Sequence, residues 1–66
     1  MTGKLTQNQL LILQALSEGE TQKEIAYRTD RLSFTIKQTA ACILVKLGAR
    51  NISHAVAIAL RGKLIQ

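Results

Sequence analysis

The sequence predicts an all-α fold, a four-helix, bundle-like domain that contains a helix-turn-helix. Three observations carry this. The apolar residues are mostly Leu, Ile and Ala, with one Phe, one Tyr and neither Trp nor Pro, a set that favours helices over strands. They recur at spacings of three and four, most clearly at Ile36, Ala40, Ile43, Leu44 and Leu47, which places them on one side of a helix. Ser, Thr, Asn and Gly stand where helices would start and stop, dividing the 66 residues into helical segments at about 6–18, 21–29, 33–47 and 53–61. A chain of this length supports one small core, so positions 1–66 read as a single domain.

Positions 1–4 read as a frayed lead-in. Thr6 with Gln9 then fits a capping box, in which each side chain satisfies a free backbone N–H at the other residue. The inward face of this first helix is Gln9, Ile12, Leu13 and Leu16. Leu10 and Leu11 widen it into either a broad core contact or a small interface. Gly19 suits the left-handed position past the helix end. Thr21 with Glu24 is a second capping box. In the second helix Ile25 and Ala26 face inward, Lys23 and Arg28 outward.

In the turn that follows, Asp30 can take the left-handed conformation, though less readily than Gly. Leu32 is expected to plug the core from this turn, and Ser33 to cap the third helix. The third helix has its apolar seam on one side and Thr35, Lys37, Gln38, Ala41, Val45 and Lys46 on the other, and Gly48 stops it. A short helix, a tight turn and a longer helix with a polar leading edge make a helix-turn-helix, whose second helix enters the DNA major groove. Asn51 or Ser53 caps the last helix, whose apolar set is Ala55, Val56, Ala59 and Leu60. Gly62 ends it, and Leu64 and Ile65 are expected to fold back. Leu16→Ala or Ile43→Ala is expected to cost on the order of 2–5 kcal/mol.

The net charge of +5 points to an anionic partner. Cys42 is alone, so no intramolecular disulfide or cysteine cluster forms, and its spacing makes it a half-buried residue beside the seam. His54 has no ligand-spaced partner and reads as a surface residue. The apolar runs LLIL and CILV are too short to span a bilayer, and no signal peptide is visible. No glycine-rich phosphate loop, paired carboxylates or nucleophile with a base occurs. The expectation is a non-enzyme with no cofactor and no metal, in a reducing compartment.

Three motifs together are specific. EGxTxKEIA at 18–26, TIK at 35–37 and KLGARN at 46–51 resemble the C-terminal DNA-binding domain of the LuxR family, also called GerE-like. The resemblance runs ungapped over 5–65. It implies a cytoplasmic, nucleoid-associated transcription regulator with the second and third helices as the helix-turn-helix. It also implies homodimerisation on double-stranded DNA through the fourth helix, at Val56, Ala57 and Leu60. Family members usually carry a regulatory half on the N-terminal side, so the sequence reads either as a stand-alone small regulator or as a domain excised from a longer one. The positions implied nearest DNA are Thr21 and Lys23 at the start of the second helix, Thr35, Lys37, Gln38 and Ala41 on the third, and Lys46 and Arg50 at its far end.

The chain departs from the family pattern in three places. Ala41 and Val45 stand where basic residues are common, although an alanine can still touch a thymine methyl. The turn 29–32 lacks the family's leucine and glycine. Gln9 replaces a glutamate, so a buried ion pair is not expected. Phe34, Ala41 and Val45 also support a second reading, in which the fold is kept and this apolar face binds protein.

Overall fold

Four helices follow one another: α1 (Gln7–Ser17), α2 (Gln22–Arg28), α3 (Ser33–Leu47) and α4 (Ile52–Arg61). They belong to a computed structural model that describes residues 4–65. Of the expected lead-in at 1–4, positions 1–3 lie outside the described residues, as does Gln66, while the Lys4 carbonyl accepts from the Lys46 ammonium at 3.2 Å. No strand occurs among the described residues.

Local chemistry sets where the helices start. Thr6 Oγ1 accepts from the Gln9 N–H at 3.1 Å, and the Gln9 carboxamide oxygen accepts from the Thr6 N–H at 3.0 Å. Thr21 and Glu24 repeat the arrangement at 3.1 and 2.8 Å. Asn51, rather than Ser53, caps α4, its Oδ1 accepting from the His54 N–H at 2.8 Å. Each closure satisfies N–H groups that the helix itself leaves bare.

α3 is the exception. Its N-cap is Leu32, which makes no side-chain cap bond. The Leu32 carbonyl takes the N–H groups of Thr35 and Ile36 at 3.0 and 3.2 Å. Ser33, expected as the cap, is instead the first residue inside the helix, because the extended cap conformation falls on Leu32 (φ −75°, ψ 141°). The same placement corrects the expected plug. Leu32 is 74% exposed, since a cap residue stands outside the helix barrel and its side chain leaves with the turn.

The α2–α3 turn closes without glycine. Asp30 holds φ 55°. Around it, the Arg31 N–H reaches back to the Ala26 carbonyl at 2.9 Å, and the Asp30 N–H to that of Tyr27 at 3.3 Å. This is the pattern that ends helices with a left-handed residue. Asp tolerates that region because its short polar side chain bonds locally. At the end of α3 the same position is Gly48, at φ 65°. At the end of α4 it is Lys63 at φ 57°, with Gly62 before it in an ordinary conformation.

The core is small and aliphatic. Leu13, Ile25, Ile36 and Ile43 are fully enclosed. Ile12, Ala15, Ala26, Leu47, Ala55, Ala59 and Ile65 complete the cluster. α3 touches α1, α2 and α4, and its expected seam is buried at Ile36, Ala40, Ile43 and Leu47, with Leu44 half-buried. On α1 the expected inward set shifts. Ala15 is buried, while Gln9 and Leu16 are only half-buried, because α1 faces α3 on one side and α2 and α4 on others. Ile65 packs back on the core as expected, but Leu64 stays 46% exposed.

Leu13→Ala or Ile43→Ala should destabilise by about 2–5 kcal/mol, the cost of a large-to-small change at an enclosed site. Leu16→Ala should cost clearly less than either, as measured by urea denaturation followed by circular dichroism. Thr21→Ala, which removes a cap, should cost about 1 kcal/mol in the same titration.

Candidate nucleic-acid interface

Burying one side of α3 leaves the other bare. At 100° per residue, Phe34, Gln38, Ala41 and Val45 fall on one line opposite the seam, and all four are exposed. Lys37 flanks this line on one side and Thr35 on the other, both exposed. The Thr35 carbonyl accepts from the Thr39 hydroxyl at 2.9 Å. Gln38, Ala41, Cys42 and Val45 together line one shallow, largely apolar depression. Cys42 is therefore exposed, not half-buried. At position 42 the helix has already turned past the seam, which runs through Ala40 and Ile43.

The start of α2 carries the expected capping box. The Thr21 backbone N–H is taken by the Glu24 carboxylate, and Thr21 Oγ1 accepts from the Glu24 N–H. Two of the N–H groups at this helix start, those of Thr21 and Glu24, are thus already engaged. Lys23, next to it, is exposed.

Lys46, expected as a phosphate contact, is half-buried and also bonded within the fold. Its ammonium donates to the Gln9 carboxamide oxygen at 2.9 Å and to the Lys4 carbonyl at 3.2 Å. In place of the ion pair that a glutamate would make, a neutral amide joins α1 to α3. Arg50 is exposed in the connector, and its backbone N–H donates to His54 Nδ1 at 3.0 Å. His54 is a surface residue, as expected. On α4, Val56 packs against the core, Ala57 is half-buried and Leu60 is exposed.

Charge is distributed unevenly along the chain, a signal present in the sequence. From Arg31 onward there are six basic residues (Arg31, Lys37, Lys46, Arg50, Arg61 and Lys63) and no acidic one, against three basic and four acidic before it. The region of α3 and α4 is thus uniformly positive. Arg31, exposed in the turn beside α3, is the residue this asymmetry adds to the expected set. Arg28 is not part of it. Its guanidinium grips Glu20 with two bonds, at 2.9 and 3.0 Å, and the hydrogen bond and charge of that carboxylate raise its pKa above the ordinary value. No cluster of metal-ligating side chains occurs among the described residues, and no single helix among them is long and apolar enough to cross a membrane.

The family described as bacterial regulatory proteins, luxR family, matches residues 3–59. A glycerol metabolism activator of Pseudomonas putida is 40% identical over 52 residues, which is 79% of this chain and 24% of the activator. The chain thus spans about a quarter of the length of this curated relative. No solved structure gives a significant match.

Because Lys46 is already bonded across the α1–α3 contact, Lys46→Met should lower stability by about 1 kcal/mol, the scale of a partly exposed bond to a charged group. It should leave the salt dependence of any DNA binding unchanged. Thermal melting together with a salt titration checks both. An unaltered melt with a shallower salt slope would instead make Lys46 a phosphate contact.

Proposed function

The chain belongs to the luxR family of bacterial regulatory proteins and carries its DNA-binding helix-turn-helix, and from that premise we propose that it regulates transcription in the bacterial cytoplasm by laying α3 in the major groove of double-stranded DNA. The observation that carries this is the exposed outer line of α3, in a stretch of chain with six cations and no carboxylate. Lys23, Lys37 and Arg50, with Arg31 beside them, contact phosphates and set the register. Gln38 and Ala41 face the bases, with Thr35 at the leading edge. Phosphate contacts position such a domain, and base contacts specify its site. Two copies pair through α4 at Leu60 and Ala57, with Val56 contributing its outer edge, so that two α3 helices enter successive grooves about one turn apart.

A second reading rests on the apolar share of the same face. Phe34 is 64% exposed and Val45 81% exposed. Such a face suits an apolar protein partner, and its binding would respond weakly to salt.

Salt decides between the two. With about four phosphate contacts per copy, the affinity of a single copy for a random duplex should fall on the order of a hundredfold between 50 and 200 mM salt. Lys37→Ala should flatten the slope of log K against log salt by about one. Gln38→Ala should leave the slope unchanged and relax base preference by about 1–3 kcal/mol. Fluorescence anisotropy reads all three. A folded helical protein that binds no duplex at low salt would overturn the DNA reading in favour of the protein partner.

A further inference from the structure

The outer line of α3 restricts which bases it can read. Of the four side chains lining the shallow depression, Gln38, Ala41, Cys42 and Val45, only Gln38 carries strong hydrogen-bonding groups. Phe34, one turn earlier on the same line, is apolar as well. No Arg or Lys stands on this line itself to donate to guanine O6 and N7, Lys37 beside it being assigned to phosphate, and no carboxylate stands there to accept from cytosine N4. Those are the pairings that discriminate G·C.

What remains is complementary to A·T. A glutamine carboxamide donates to adenine N7 and accepts from adenine N6, and alkyl side chains meet the C5 methyl of thymine. Both groups belong to the same kind of base pair. Between Gln38 and Val45 the floor of the depression is Ala41 and Cys42, small enough for a methyl to settle between the longer side chains. The seven rises from Gln38 to Val45 cover about 10.5 Å of helix, roughly three base-pair steps. The surrounding charge suits a polyanion, with Lys37 and Arg31 exposed and no carboxylate on α3 or α4.

We propose that this chain selects its sites by thymine methyl groups, reading a run of about three A·T pairs in the major groove through Gln38, Ala41, Cys42 and Val45. The proposal rests on the DNA reading above and adds the chemical identity of the target. The methyls are recognised by contact with Ala41 and Val45. Gln38 fixes the position of one adenine. Specificity of this kind does not depend on a charged side chain at the base edge.

The test begins with enrichment of bound duplexes from a random library, using the chain itself. The enriched sites should share a run of A·T pairs. Each thymine of that run is then replaced singly by deoxyuridine, which removes the methyl and leaves every hydrogen-bonding group in place. At one or two positions affinity should fall about fourfold per methyl, the transfer free energy of one buried carbon group. In Val45→Ala, which keeps the helix, one of those positions should become indifferent to the methyl, and Ala41→Ser should do the same at another. Circular dichroism confirms that both variants are folded. Enriched sites with a G·C core, or A·T sites bound equally with deoxyuridine throughout, would overturn the methyl reading while leaving DNA binding intact. A folded protein that enriches no duplex at low salt would overturn the underlying function as well.

Discussion

Ile36, Ala40, Ile43 and Leu47 hold α3 against the other three helices, and the rest of the molecule depends on that contact. Leu13 and Ile25 fill the space behind the seam, so α1 and α2 act chiefly as its supports. Ala40, Ala26, Ala55 and Ala59 are small enough to let helix backbones come close. Hydrophobic burial has no direction of its own, but a helix with one apolar face has only one orientation that buries it. Fixing the seam therefore fixes what the opposite side presents. The reading surface needs no separate device to aim it.

Much of this was legible in the sequence, for a physical reason. Capping boxes, glycine stops and the three-and-four spacing are local, and each is decided within about one helical turn. Thr6, Thr21, Gly19, Gly48 and the α3 seam all stand where the pattern put them. Asp30 took the left-handed position in a turn without glycine because the closing bonds to Ala26 and Tyr27 leave it no alternative.

The misplaced residues depend on geometry beyond their own turn. Ser33 has the right chemistry for a cap but sits one residue inside the helix, and Leu32 takes the cap and leaves the core. A shift of one position at a helix start is invisible to a pattern that tolerates either choice. Cys42 lies between two core positions in sequence but on the outer side in space. Lys46 looks like a solvated lysine until α1 is brought against it, across 37 residues of chain to Gln9. The candidate interface was legible as a face, and its uneven charge was available in the order of residues. That Lys46 is bonded across the fold became clear only when the helices were packed.

The bond between Lys46 and Gln9 has a consequence of its own. A carboxylate at position 9 would make the joint between α1 and α3 depend on acidity, since protonation removes its charge. It would also be weakened by the dissolved ions that crowd around opposite charges. The carboxamide of Gln9 does neither: it has no proton to gain in the ordinary range, and as a neutral dipole it is little screened. The joint therefore keeps its strength across acidification and across changes of ionic strength large enough to strip a basic surface from a polyanion. At this joint, release of a polyanion and loosening of the α1–α3 contact are separate events.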